Sequence, residues 1–177
     1  VRGVYASRGV ESTESLSVEL KTLLPPERLR GSASACEILQ DALTLQKKIC
    51  IVGDYDADGA TGTALAVTAL KAFGALHVSY LVPSRFSQGY GLSPALAEIA
   101  AQQGAQLLIT VDNGIASLSG VAKAKSLGMQ VLITDHHLAG PELPAADGIV
   151  NPNQPHCGFQ RKSLSGVVTV FSVLSAL

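Results

Sequence analysis

The chain has 177 residues, of which 47% are hydrophobic and 15% charged, so it can bury the core of one domain. Its formal net charge of −1 excludes an overall basic surface for binding nucleic acid. The sequence has no run of about 18 apolar residues, so no transmembrane helix is predicted. The three cysteines share no short spacing, which argues against a zinc knuckle or a disulfide framework and favours a reducing, cytoplasmic location.

Helix-like and strand-like segments alternate along the chain. Helices are predicted over residues 16–24 and 33–46, before a buried strand at 48–53. The later segments, in chain order, are helix 60–73, strand 78–82, helix 94–104, strand 106–111, helix 116–127, strand 130–134, a short apolar segment at 148–150 and a last helix from residue 165 or 166. This alternation predicts an α/β fold, a Rossmann-like, doubly wound and mainly parallel sheet with helices on both faces.

Two regions are expected within the chain. Residues 1–47 are predicted to form an N-terminal helical segment that leads into the core, and residues 48–177 to form the main domain. Because the chain lacks an initial Met and ends within the apolar stretch 167–177, it is expected to be a piece of a longer protein, cut inside its last helix.

Three carboxylates, Asp54, Asp56 and Asp58, occupy alternate positions directly after the first buried strand. Like charges at such short separations are unfavourable unless a cation neutralises them. An EF-hand calcium loop begins with the same spacing, but it needs a Glu at the twelfth position, where this chain has Leu65, and a helix before the loop. The pattern therefore predicts a divalent metal site of another kind.

Two further polar groups follow predicted strands. Asp112 comes after the third strand, and Asp135, His136 and His137 come after the fourth. Because the carboxyl ends of parallel strands meet at the ligand-binding edge of such sheets, all these side chains are predicted to converge. Carboxylates and imidazoles without thiolates suit Mn²⁺ or Mg²⁺, with Zn²⁺ or Fe²⁺ as alternatives. The number of acids predicts two ions, the arrangement that hydrolyses phosphate esters. Asp112 or Asp135 alone is compatible with a helix cap or a turn, and His136 alone with a packed or surface histidine, whereas their joint occurrence favours a metal site.

These segments resemble the first three motifs of the DHH phosphoesterase superfamily. The matching residues read DYDADG over 54–59, VDNG over 111–114 and DHH over 135–137. Similarity to the RecJ branch of the superfamily extends to LLPP over 23–26, PSRF over 83–86, GYGLS over 89–93 and NPNQ over 151–154. The resemblance implies metal-dependent phosphodiester hydrolysis by a 5′-to-3′ exonuclease on single-stranded DNA, in repair and recombination, with Mn²⁺ or Mg²⁺ as cofactor.

The resemblance also implies a role for each matching residue. The expected metal ligands are Asp54, Asp56, Asp58, Asp112 and His136, with Asp112 bridging two ions. Together with His137, which is expected to face the metal or the scissile phosphate, they form the expected catalytic set, and Asp135 is expected to orient His136. The implied phosphate contacts are Arg85, Tyr90, Gly91, Asn113, His137 and Gly166.

Two other functions stay open at this point. The first is a nanoRNase or cyclic-dinucleotide phosphodiesterase of the same superfamily, although those branches usually carry a metal-binding His where this chain has Val52. The second is a non-catalytic DHH module that serves as a scaffold, against which the presence of all five acids argues.

The resemblance implies single-stranded DNA as the partner of the full-length protein, with a single-strand-binding protein and a helicase as further partners. Weak or no activity is expected of this chain alone, because the family's further metal-binding Asp and the second lobe of its cleft are expected beyond residue 177.

Overall fold

The computed structural model describes residues 2–7, 10, 23–84, 89–160 and 162–177. Most of the predicted helix at 16–24, and Arg85, lie outside these residues. The described helices are α1 (Arg2–Ala6), α2 (Ser32–Thr44), α3 (Ala57–Ala72), α4 (Pro94–Gln102), α5 (Leu118–Ser126) and α6 (Gly166–Ala176), with a 3₁₀ turn at Pro26–Arg28. The described strands are β1 (Ile49–Gly53), β2 (Val78–Leu81), β3 (Leu107–Val111), β4 (Gln130–Thr134) and β5 (Gly148–Val150).

The described strands form one parallel sheet in the order β2-β1-β3-β4-β5. β1 and β3 are buried along their whole length, as is usual for central parallel strands. The chain proceeds from β1 to one edge of the sheet and from β3 to the other, so the strand order reverses between these two neighbours. Such a switch point opens a crevice at the carboxyl ends of the strands.

Helices cover both faces of the sheet. Ile49 and Ile51 of β1 pack in an apolar cluster with α2, α3 and α6, whereas Cys50 and Val52 pack in a second cluster with α4 and α5. The predicted Rossmann-like, doubly wound α/β fold is therefore confirmed. No helix in the described part of the chain is long and apolar enough to span a membrane.

The segment before β1 contributes to the same core. α2 places Ala35, Ile38, Leu39 and Ala42 in the cluster that it shares with α3 and α6. The division of the chain at residue 47 stays a prediction.

Two helices, α3 and α5, begin two or more residues away from their predicted starts. α3 begins at Ala57 rather than residue 60, because the Asp56 side chain accepts a hydrogen bond of 2.9 Å from the N–H of Gly59 and caps the helix. α5 begins at Leu118 rather than residue 116, after a turn in which Gly114 has a φ of 111°. The earlier start of α3 places Asp58 in its first turn.

Candidate metal centre

Three carboxylates extend the central strands by one residue each. The N–H groups of Asp54, Asp112 and Asp135 donate to the last residue of the next strand in the sheet, at 3.2, 3.0 and 3.0 Å. Their exposed fractions are only 4%, 1% and 1%. The hydrogen-bond ladder of the sheet thus places the three acids side by side, at the edge that the sequence predicts.

Two groups of candidate metal ligands meet at Asp112. In the first, carboxylate oxygens of Asp54, Asp56 and Asp112 lie within 4.8 Å of one another. In the second, Asp112 lies within the same distance of ring nitrogens of His136 and His137. Asp112 is common to both groups, which is the position required of a carboxylate shared by two ions.

The buried Asp112 carboxylate is poorly satisfied by protein groups. Its Oδ1 has no hydrogen-bond partner among the described residues. The Nε2 atom of His136 lies 2.9 Å from this oxygen, but the two atoms are not aligned as a hydrogen bond. Burial, together with the negative charges of Asp58 and Asp56, raises the pKa of Asp112 to about 7. A cation would satisfy this oxygen and offset the repulsion, so these residues fit a divalent metal.

Asp58 lies between the start of α6 and the histidines. Its Oδ2 accepts a hydrogen bond of 2.6 Å from the N–H of Gly166, and its Oδ1 accepts one of 2.8 Å from the N–H of Val167. The same Oδ2 lies 3.7 Å from Nε2 of His136. Because a carboxylate oxygen has two lone pairs, these contacts leave room for a metal. The metal-binding role of Asp58 stays a prediction.

The buried Asp135 carboxylate holds the histidine pair. Its Oδ1 accepts hydrogen bonds from the N–H groups of His136 and His137, at 2.7 and 3.1 Å, and lies 2.7 Å from Nδ1 of His137. Its Oδ2 accepts a hydrogen bond of 2.9 Å from the N–H of Ile115. The sequence predicts that Asp135 orients His136, but the ring that it contacts is that of His137, and it reaches His136 only through the backbone.

The charge state of His137 follows from this contact. Burial alone would lower the pKa of His137, but the hydrogen bond to Asp135 and the charges of Asp135 and Asp112 outweigh burial and raise it. His137 is also the more exposed of the two rings, with 46% of its side chain accessible against 27% for His136. It is therefore the ring that is more accessible from solvent at this edge.

Tyr90, in the loop before α4, contacts the ring of His137. Its hydroxyl donates to the backbone oxygen of Asp112 at 3.2 Å and lies 3.3 Å from both ring nitrogens of His137. Burial and the charge of Asp135 raise the pKa of Tyr90, so the hydroxyl keeps its proton at neutral pH. Gly91, with a φ of 68°, follows it, and a Cβ there would lie 3.5 Å from Oδ1 of Asn113. Tyr90 and Gly91 thus border the site, while Arg85 lies outside the described residues.

Asn113 is completely buried at the switch point. Its Nδ2 donates to the carbonyl oxygens of Val52 and Val111, both at 2.9 Å, and so ties the ends of β1 and β3 together. Its amide hydrogens are directed to the backbone, so the predicted phosphate contact of Asn113 stays a prediction. The side chain of Val52 lies in the apolar cluster with α4 and α5, away from the acids.

Two residues contact the site in a way that the sequence reasoning misses. Asn151 and Asn153 donate hydrogen bonds to the backbone oxygens of His137 and His136. Two signals were available, namely the NPNQ segment over 151–154 and the position of Asn151, which follows β5 as Asp135 follows β4.

Comparison with known proteins finds similarity to members of the DHH family. A sequence profile described as the DHH family, N-terminal domain, matches residues 48–176. All 177 residues align at 51% identity with the single-stranded-DNA-specific exonuclease RecJ of Escherichia coli K12. The RecJ exonuclease of Bacillus subtilis 168 is 39% identical over 181 aligned positions. The chain spans only 31% and 23% of the lengths of these two relatives.

Solved structures show the same similarity. The crystal structure of RecJ in complex with Mn²⁺ from Thermus thermophilus aligns with 98% of this chain and 24% of its own, with a TM-score of 0.77 and 33% identity. A crystal structure of exonuclease RecJ bound to manganese aligns with 84% of this chain and 37% of its own, with a TM-score of 0.76 and 35% identity.

Proposed function

The chain belongs to the DHH family, and on that premise we propose that it carries the metal centre of a phosphodiesterase that digests single-stranded DNA from 5′ to 3′. The observation that carries this proposal is Asp112, a buried acid common to two groups of candidate ligands, with an oxygen that lacks a hydrogen-bond partner in the described residues. Because the chain spans 31% of its Escherichia coli relative, the activity is proposed for a protein that contains this chain.

The donor set supports Mn²⁺ or Mg²⁺ as cofactor. Asp54, Asp56, Asp112 and His136 would hold the metal, with Asp58 as a further ligand. The position of Asp112 in both ligand groups supports two ions. Bound divalent ions would supply Lewis-acid polarisation of the scissile phosphate and would lower the pKa of water.

Protein groups at the rim would bind and orient the phosphate. His137, held through Nδ1 by Asp135, has a raised pKa and can present a proton to a phosphoryl oxygen. The Tyr90 hydroxyl, whose single proton is donated to the backbone oxygen of Asp112, lies 3.3 Å from Nδ1 of His137 and would help to hold this ring in place. Donors that are fixed before substrate binds stabilise the charge that develops on the phosphoryl oxygens.

The remaining parts of the proposal rest on the resemblance. A role in DNA repair and recombination, a single-strand-binding protein and a helicase as partners, and a cytoplasmic location are proposed together. Cys36, Cys50 and Cys157 are free cysteines, which supports a reducing compartment.

A chimera tests the proposal because the Escherichia coli exonuclease supplies the rest of a whole enzyme around this chain. The chain replaces the aligned 31% of the Escherichia coli exonuclease, and the product is incubated with Mn²⁺ or Mg²⁺ and single-stranded oligonucleotides labelled at either end. We expect digestion from the 5′ end. Substitution of residues that only support metal ligands costs up to about 100-fold, so Asp112→Ala in the chimera is expected to cost at least that. The control is Asp41→Ala, on the exposed face of α2.

Binding of Mn²⁺ to the isolated chain, measured by calorimetry, accompanies the assay. No binding to the wild-type chain would contradict the metal centre and favour the scaffold function. A folded, Mn²⁺-binding chimera that cleaves dinucleotides but leaves longer single strands intact would favour the nanoRNase function instead.

A further inference from the structure

The backbone of the histidine pair is bound by side chains at all four of its polar groups. Asp135 accepts both N–H groups. Asn151 Nδ2 donates to the carbonyl oxygen of His137 at 3.0 Å, and Asn153 Nδ2 donates to that of His136. The position of both peptide groups is therefore set by residues just beyond the ends of β4 and β5.

The strand register explains how Asn151 reaches the pair. β4 and β5 are parallel, with Thr134 opposite Val150, so the next residues, Asp135 and Asn151, leave the sheet together. Asn151 is completely buried, and its Oδ1 accepts a hydrogen bond of 2.7 Å from the N–H of Asn153. This bond turns the chain so that the Asn153 amide also faces the histidines.

We propose that Asn151 and Asn153 are positioning residues of the metal centre, which act through the backbone of His136 and His137. The inference rests on the proposed metal site. Nε2 of His136 lies 2.9 Å from Oδ1 of Asp112, and the backbone that the asparagines hold is the base from which this ring projects. Without the asparagine amides the carbonyl groups are free to rotate toward water, and the imidazoles move with them.

Gln154 provides a matched control in the same loop. Its Nε2 donates to the carbonyl oxygens of Arg30 and Ile149, at 2.9 and 3.1 Å. It is thus a side-chain amide that also binds two backbone carbonyls, but carbonyls remote from the histidines. Gln154→Ala therefore measures the contribution of loop stability, separately from the position of the imidazoles.

The experiment titrates MnCl₂ into the wild-type chain and into the Asn153→Ala, Asn151→Ala and Gln154→Ala variants, by calorimetry. The visible absorption spectrum of each chain with Co²⁺ reports the ligands directly, and circular dichroism checks the fold. We expect both asparagine variants to bind Mn²⁺ about tenfold more weakly and to change the Co²⁺ spectrum. The Gln154→Ala variant is expected to match the wild type in both.

The outcomes separate this inference from the proposed function. If the wild-type chain binds no Mn²⁺, the proposed function fails and this inference fails with it. If the wild type binds and the asparagine variants bind equally well, or if Gln154→Ala loses as much affinity, only the inference is overturned. Should Asn151→Ala not fold, the half-buried Asn153 decides the outcome.

Discussion

Gly166, the first residue of α6, packs directly against Asp112. A Cβ at residue 166 would lie 2.5 Å from Cβ of Asp112 and 2.6 Å from its Oδ1. Real Cβ atoms do not approach other atoms so closely. The start of α6 can therefore reach the buried acid only because residue 166 has no side chain.

Gly166→Ala is expected to push α6 away from Asp112. Such overpacking costs about 2 kcal/mol of the free energy of unfolding, and the displaced Asp112 should also bind Mn²⁺ more weakly. Urea denaturation and calorimetry measure the two effects. In the control, Gly140→Ala, the new Cβ would meet nothing closer than the backbone oxygen of Glu142 at 3.9 Å. If Gly166→Ala is as stable as the wild type, or if Gly140→Ala loses as much free energy of unfolding, the contact of Gly166 with Asp112 is unimportant for stability.

The raised pKa of Asp112 predicts how the stability of the metal-free chain depends on pH. The folded chain has a pKa of about 7 at this residue, whereas an unfolded chain has about 3.9. Between these values the unfolded state loses its proton while the folded state keeps it. The free energy of unfolding should therefore fall as the pH rises from about 4 to about 7, and should then level off.

Asp112→Asn removes this charge. The metal-free variant is expected to exceed the wild type in free energy of unfolding at pH 8 by on the order of 2 kcal/mol, and to match it near pH 4. Urea denaturation in the presence of a chelator measures the difference, with Asp41→Asn on α2 as the control. With Mn²⁺ the order should reverse, because ligand binding stabilises only the wild type. If metal-free Asp112→Asn has a lower free energy of unfolding than the wild type at pH 8, the charge of Asp112 does not destabilise the folded chain and the prediction is wrong.

Asp56 combines two roles that substitution can separate. It caps α3 through Gly59, a hydrogen bond that lowers the pKa of Asp56, and it belongs to the ligand group with Asp54 and Asp112. Ser also caps helices, whereas Ala does not, so Asp56→Ser should be more stable than Asp56→Ala by about 1 kcal/mol. Both variants lose the same charge, so repulsion cancels from the comparison.

For Mn²⁺ affinity the two Asp56 variants should behave alike. Neither offers a carboxylate, so both are expected to bind about tenfold more weakly than the wild type, or worse. Denaturation and calorimetry on the same samples measure the two roles together. If Asp56→Ser keeps wild-type affinity, Asp56 is a helix cap and not a ligand.

Local patterns are sufficient to predict the central strands and the edge that carries the site. β1, β3 and β4 are short, mostly apolar runs that are each followed by an Asp, and parallel pairing then brings Asp54, Asp112 and Asp135 together. The start of α3 is less predictable, because Asp56-Ala57-Asp58-Gly59 reads as a loop until the capping bond to Gly59 is known.

Contacts between distant segments could not be predicted in this way. Asp58 binds α6 across 108 residues, a contact that depends on the packing of α3 against α6. The link from Asn151 to His137 depends on the register of β5, a three-residue strand whose own sequence does not specify its partner. Hydrogen bonds from a side chain to a distant backbone group cannot be predicted from the pattern of residue types.

Asp54, Asp112 and Asp135 follow strands that are adjacent in the sheet but distant in the sequence, since α3, β2 and α4 separate β1 from β3, and α5 separates β3 from β4. Their charges are therefore far apart in space until β1, β3 and β4 have paired, and contacts of such long sequence separation form late. Repulsion among these carboxylates therefore acts mainly in the last steps of folding, after the rate-limiting step. A cation that neutralises this charge should slow unfolding more than it speeds folding. Metal binding would thus determine how long the folded domain persists, rather than how quickly it forms.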